Sequence, residues 1–158
     1  MKKKVLTILF ILTLGFIWGH SMMPTSASAA ESGGLLELLR PFLEFFVGKG
    51  NADDHLIRKL AHLGEYFVLG TETALFVVAE WMNYRAKRQH MLPESILKKA
   101  LLSEAFVFYV AFLDESIQMI VGRGPLIEDV WLDLAGGLLG VGLVSLLTAI
   151  SHRKKQDG

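Results

Sequence analysis

Four stretches of this 158-residue chain are nearly as long and as apolar as a membrane-spanning helix. They cover residues 5–23, 60–81, 100–121 and 130–150. A helix needs roughly 20 apolar residues to cross a bilayer, so each stretch predicts one span. The chain is 52% hydrophobic, and its apolar residues are bunched in these stretches. The sequence therefore predicts an integral membrane protein that contacts the lipid bilayer.

The lysines and arginines are divided unequally between the predicted loops. Eleven of the sixteen lie before the first stretch, within residues 83–99, or after the fourth stretch. Short cytoplasmic loops collect Lys and Arg, so both termini and the basic loop 83–99 are predicted to be cytoplasmic. Residues 24–57 then form an outer loop. Its apolar run is too short to span and is interrupted by Pro41, which predicts a short amphipathic helix on the outer surface.

The predicted fold is thus a single all-α domain over residues 1–158, a bundle of four transmembrane helices. The start of the chain also resembles a secretory signal, because Lys2–Lys4 precede the first stretch and Ala27-Ser28-Ala29 follows it. Cleavage there would leave three spans and an outside N-terminus. The run reaches Met23 with only His20 interrupting it, which is long for a signal core. We expect the first span to be retained.

Ionisable residues lie inside three of the apolar stretches, where they are costly and need a partner. His62, Glu65 and Tyr66 share one face of a helix. In the predicted topology these and other polar residues from distant segments meet near the outer surface, in one acidic, outward-facing cleft. The candidate ligand-binding residues are Arg58, His62, Glu65, Tyr66, Asp114, Glu115, Gln118, Arg123, Asp129 and Asp133.

The chemistry of this set is open to several interpretations. So many carboxylates beside few cations cannot all be ionised and buried. They can supply a general acid and base, for which the candidates are His62, Glu65, Asp114, Glu115 and Asp133. They can instead relay protons in a carrier. Their spacing is no known metal signature, so no cofactor is predicted, but a histidine with carboxylates can hold a divalent metal.

Some of these residues also have purely structural interpretations. His62 can bond a carboxylate or carbonyl of a neighbouring span, and Glu65 can form an ion pair with Arg58 or Lys59. Glu104, near the predicted cytoplasmic end of its span, can extend to the interface. The spacing of small residues in the fourth stretch predicts close helix packing at Gly136, Gly137 and Gly140.

Composition argues against nucleic-acid binding and excludes cysteine chemistry. The formal net charge is zero, so the chain has no overall basic field and nucleic acid is not an expected partner. There is no cysteine, which excludes disulfides, thiolate nucleophiles and cysteine-based zinc sites.

The polar residues and glycines fall into three spaced motifs. These are Arg58-Lys59-Leu60-Ala61-His62-x-x-Glu65-Tyr66-x-x-Leu69-Gly70, Asp114-Glu115-x-x-Gln118-x-x-x-Gly122-Arg123 and Asp129-Val130-x-x-Asp133-x-x-Gly136-x-x-x-Gly140. A weaker pattern after the first stretch consists of Ser21, Pro24, Ser28, Ser32 and Gly33. Together these pieces resemble the VanZ-like family over nearly the whole chain. One departure is Gly124-Pro125, where the family pattern predicts small hydroxyl or polar residues after the arginine.

The resemblance implies a bacterial membrane protein associated with low-level resistance to teicoplanin, a glycopeptide that acts at the outer face of the membrane. It implies no particular biochemical activity. We therefore expect an envelope protein of a Gram-positive-like bacterium that binds or modifies a lipid-linked cell-wall precursor or a lipoglycopeptide. The alternatives are a membrane hydrolase or transferase acting on a polyprenyl or lipid phosphate, and a non-catalytic packing or partner subunit.

Overall fold

The structure, a computed structural model, describes residues 3–87, 96–122 and 127–154, with side chains for 3–79, 96–122 and 127–151. The described residues form five helices and no strand, which confirms the all-α prediction. The helices are α1 (Lys3–Ser21), α2 (Thr25–Val47), α3 (Asp54–Lys87), α4 (Ile96–Ile120) and α5 (Ile127–Lys154).

Helix α3 is the centre of the bundle. Its most extensive contact is with α5, and it also packs against α4, α1 and α2. One buried cluster joins α1, α3 and α4, and its members are Ile17, Tyr66, Leu69, Val107, Val110 and Ala111. The C-terminal part of α1 therefore lies in the core, where it can position polar side chains against α3 and α4.

Glycines allow α5 to lie almost backbone to backbone against α3. A Cβ atom at Gly136 would be 2.4 Å from the Leu63 carbonyl oxygen, and one at Gly140 would be 2.3 Å from the Phe67 carbonyl oxygen. On the α3 side, a Cβ atom at Gly70 would be 2.4 Å from the Gly137 carbonyl oxygen. Real Cβ atoms do not approach backbone atoms this closely, so each of these contacts requires glycine.

Helix α2 is longer than the short surface helix that the sequence predicts, and Pro41 lies inside it. The expectation that Pro41 interrupts the helix was wrong. Leu36 before the proline and Leu43 after it are both buried in one cluster with Ile57 of α3. Packing against α3 thus supports both sides of the helix and offsets the hydrogen bond that the proline cannot donate.

Helices α3 and α5 extend beyond their predicted spans at both ends, and α4 begins before its predicted start, whereas α1 begins and ends slightly earlier than predicted. Helix α3 begins at Asp54, before the predicted start at residue 60. Asp53 caps this start, because its Oδ1 accepts a hydrogen bond of 2.8 Å from the Leu56 N–H. Among the described residues, α1 over Lys3–Ser21 and α5 over Ile127–Ser151 are long and apolar enough to cross a membrane.

Candidate functional site

His62 of α3 and Asp133 of α5 form the centre of a polar cluster between the helices. The His62 Nδ1 atom lies 3.2 Å from Asp133 Oδ1, and Asp133 is fully buried. The glycine contact one turn further along α5 explains this proximity. Because Gly136 has no side chain, the α5 backbone reaches Leu63, the neighbour of His62 in the chain.

Asp114 brings helix α4 and the end of α1 into the same cluster. It is fully buried, and both of its carboxylate oxygens accept hydrogen bonds. Ser21 Oγ donates to Oδ1, and Gln118 Nε2 donates to Oδ2 over 3.1 Å. The Gln118 amide nitrogen also lies 3.4 Å from Glu115 Oε1. Asp114, Glu115 and Gln118 thus form a hydrogen-bonded group on one face of α4.

A second histidine joins α1 to α2 and α3. His20 Nδ1 lies 3.3 Å from Glu65 Oε1, and His20 Nε2 lies 3.5 Å from Glu31 Oε2. The alternative in which Glu65 pairs with Arg58 or Lys59 is therefore wrong, because α1 supplies its partner.

The two cations of α3 have other partners. Arg58 Nε lies 3.4 Å from Asp54 Oδ2, one turn earlier in the same helix, and Lys59 Nζ lies 3.9 Å from Glu128 Oε2. Neither of them therefore neutralises the buried cluster.

A small pocket lies beside the cluster, with room for about one water molecule. Its lining residues come from α1, α2 and α3, and they are His20, Ser21, Ser28, Arg58, His62 and Glu65. We predicted that Asp114 and Asp133 line an open cleft, but both are fully buried. His62 and Ser21 border the pocket and also contact the buried carboxylates, His62 at Asp133 and Ser21 at Asp114.

Three side chains of the cluster have the chemistry and the spacing of metal ligands. One ligand atom from each of His62, Asp114 and Asp133 lies within 4.8 Å of the other two. Several buried polar atoms near them have no hydrogen-bond partner among the described residues, and these include the Tyr66 hydroxyl, Glu115 Oε2 and Asp133 Oδ2. The cluster therefore has unused bonding capacity in its interior.

The sequence from residue 6 to residue 148 matches the family model described as VanZ/LLP1. The match includes all three motifs and the residues that meet in the cluster. The chain belongs to the VanZ/LLP1 family. This confirms the resemblance inferred from the motifs. No curated protein and no solved structure matches the chain.

The VanZ/LLP1 motif residues occupy different surroundings in the structure. His62, Asp114 and Asp133 converge, while Glu65, Glu115 and Gln118 are bonded around them. Tyr66 is fully buried in the apolar core beside them. Arg58 borders the pocket, and Asp129 is half-buried in the first turn of α5. Arg123 lies outside the described residues.

Sequence reasoning missed the contribution of α1 and α2 to this VanZ/LLP1 site. His20 appeared only as an interruption of the first apolar stretch, and Ser21 and Ser28 only as part of a spacing pattern. Glu31 was not considered. Their position in the sequence could have identified His20 and Ser21 as site residues, because they lie at the end of the first span that is predicted to face outward.

Glu104 of α4 carries a buried carboxylate that lies apart from this cluster. Both carboxylate oxygens of Glu104 are buried and have no hydrogen-bond partner among the described residues. A Cβ atom at Gly137 would lie 3.4 Å from Glu104 Oε1, so the side chain points into the contact between α4 and α5. The expectation that Glu104 extends to the membrane interface was wrong.

Proposed function

We propose that this VanZ/LLP1 protein crosses the bacterial cell membrane four times, through α1, α3, α4 and α5. Helix α4 supports this because its polarity is inverted. It buries Ser103, Asp114 and Gln118, and it exposes large apolar side chains such as Ile120, which is 84% exposed. In water, each Å² of apolar surface left exposed costs roughly 25 cal/mol of stability, whereas lipid tails solvate that surface.

The direction of the helices agrees with four crossings. The C-terminal ends of α1 and α4 meet through Ser21 and Asp114, and the early parts of α3 and α5 meet through His62 and Asp133. These contacts lie at one end of the bundle, as expected for helices that alternate in direction. The excess of Lys and Arg in the opposite loops supports an outer position for that end.

Single cysteines test this orientation, because the natural chain has none. Lys49, in the turn between α2 and α3, is exposed, and so is Lys98, at the start of α4. A membrane-impermeant maleimide is expected to label Lys49→Cys in intact cells and Lys98→Cys only after permeabilisation. The reverse pattern would contradict the proposed orientation.

The proposed role is to lower the sensitivity of the cell to teicoplanin by binding or modifying the polar head of a lipid-linked cell-wall component. The single observation that carries this proposal is the convergence of charged and polar side chains from all five helices at the predicted outer end. The pocket presents two histidines, Glu65 and the Arg58 side chain, a set that can hydrogen-bond both anionic and neutral head groups. The partners are therefore the bilayer and such a lipid-linked precursor.

The experiment compares teicoplanin susceptibility in a susceptible Gram-positive host that expresses wild-type or variant protein. Glu65→Gln keeps the side-chain shape but removes the charge that faces His20. The matched control is Glu128→Gln, which changes a side chain that is 79% exposed and faces only Lys59 among the described residues. We expect Glu65→Gln to lose protection and Glu128→Gln to keep it. Full protection by Glu65→Gln, at matched membrane amounts, would contradict the proposal.

A second candidate function, hydrolysis or transfer on a polyprenyl or lipid phosphate, is favoured by one observation. His62 and Asp133 lie at hydrogen-bond distance, and a carboxylate that orients an imidazole is a common general acid–base arrangement. Purified protein incubated with polyprenyl phosphates is then expected to release phosphate, and His62→Gln is expected to abolish the release. No turnover by folded wild-type protein would argue against this function.

A further inference from the structure

The buried cluster contains three potential ligand side chains from three different helices. His62 comes from α3, Asp114 from α4 and Asp133 from α5, and their ligand atoms lie within 4.8 Å of one another. Three helices hold these atoms in place, and α3 and α5 are in close contact through Gly136 and Gly140. Such a set is preorganised, since little further ordering is needed for the three side chains to converge on one small ligand.

A second observation points to something bound among them. Asp133 is fully buried, yet its Oδ2 atom has no hydrogen-bond partner among the described residues. A buried polar atom without a partner has lost its hydrogen bonds to water with nothing to replace them, so native proteins rarely contain one. Neither Arg58 nor Lys59 compensates it, because both pair with other carboxylates.

The surroundings of the set resemble an outer coordination shell. Metal-ligating carboxylates are usually held by further hydrogen bonds, which fix their orientation. Asp114 has two such bonds, from Ser21 and Gln118, and each of its oxygens keeps a free lone pair. His62 also borders the pocket, through which water can reach the cluster.

The donor atoms determine which cation fits best. Imidazole favours Zn²⁺ and its neighbours over Mg²⁺ and Ca²⁺, while carboxylates also suit Mn²⁺. A set of one histidine and two aspartates with access to water is therefore best matched by Zn²⁺ or Mn²⁺. Three protein ligands with an open fourth position are typical of zinc sites that act on a substrate.

We propose that His62, Asp114 and Asp133 form a site for a divalent transition-metal ion, Zn²⁺ or Mn²⁺. The site deepens the proposed function and rests on the same cluster being its working part. Its role there is to attract an anionic group, such as the phosphate of a lipid-linked precursor, to the mouth of the pocket beside His62, while the pocket itself admits water.

The test uses full-length protein purified in detergent, stripped with chelator and titrated with Zn²⁺ or Mn²⁺ alone. We expect about one ion per chain, and we expect Asp133→Asn to weaken binding by at least about 100-fold, the upper range for loss of a supporting group. The matched control is Glu104→Gln, which changes a buried carboxylate outside the set that has no hydrogen-bond partner in the part of the chain that the structure describes; it is expected to bind as wild type. Folded wild-type protein that binds neither ion, or an Asp133→Asn variant that binds like wild type, would overturn the site.

X-ray absorption on the loaded wild type keeps the test independent of variant folding. We expect one imidazole and otherwise oxygen ligands, and a spectrum without imidazole would overturn the site. The susceptibility experiment separates this proposal from the proposed function. If the wild type binds metal but Glu65→Gln still protects fully against teicoplanin, the site is supported and the proposed function is contradicted. If the wild type binds no metal but Glu65→Gln loses protection, the function is supported and the metal site is contradicted.

Discussion

Replacing Gly140 by alanine is the most discriminating test of how α3 and α5 pack. The new Cβ atom would lie 2.3 Å from the Phe67 carbonyl oxygen and 2.7 Å from the Thr71 nitrogen, whereas ordinary contacts begin at 3.4 Å. Both neighbours are backbone atoms of α3, so the helices must separate by about 1 Å instead of a side chain moving aside. Overpacking of this kind costs about 1–3 kcal/mol. The higher helix propensity of alanine offsets up to about 1 kcal/mol of that cost.

Gly142→Ala is the matched control, two residues away on the same helix. A Cβ atom at Gly142 has nothing within 4 Å, so this variant gains helix propensity without a clash. Both variants gain the same helix propensity, so thermal unfolding in one detergent is expected to place the Tm of Gly140→Ala below that of Gly142→Ala by roughly 2–12 °C, which is the overpacking cost at about 2–4 °C for each kcal/mol. Equal melting temperatures would refute the close backbone contact.

Three further predictions concern single side chains. Ser21→Ala removes the donor to buried Asp114 and is expected to cost about 1–3 kcal/mol in thermal unfolding; an unchanged Tm would mean that this bond is absent in the membrane. Glu104→Gln replaces a buried carboxylate that has no partner among the described residues, so the Tm is expected to stay level or to rise; a marked fall would reveal a partner. Phe45 is 81% exposed on α2, and Phe45→Trp, in a chain whose three natural tryptophans are replaced by phenylalanine, is expected to be quenched by lipids brominated near the head group; quenching only by aqueous iodide would place α2 away from the bilayer.

The sequence was most informative where charge interrupts apolar stretches. A histidine or carboxylate inside a predicted span needs an internal partner, and the predicted topology brings His62, Asp114 and Asp133 to the same end of the bundle. Glycine spacing likewise pointed to Gly136 and Gly140, because only small residues allow such a close approach. These features are local to one segment, so they can be recognised without coordinates.

Features that depend on packing between segments could not be predicted in this way. Pro41 is a helix breaker by local preference, and only the burial of Leu36 and Leu43 against α3 shows why α2 continues through it. The partner of Glu65 was misassigned because Arg58 is close in sequence, whereas His20 is distant in sequence and close in space. The burial of Asp133, where an open cleft was expected, follows from the glycine contacts between α3 and α5. Asp114 is buried on α4, where Ser21 of α1 and Gln118 donate hydrogen bonds to it.

The central claim is that side chains from distant helices act as one unit at the outer end of the bundle. The most direct test is a double-mutant cycle on teicoplanin susceptibility with His62→Asn, Asp133→Asn and the double variant, at matched membrane amounts. Residues that act as a unit are not additive, so each single variant is expected to lose protection and the double variant to be no worse. Two single variants that both protect as well as wild type would contradict the account.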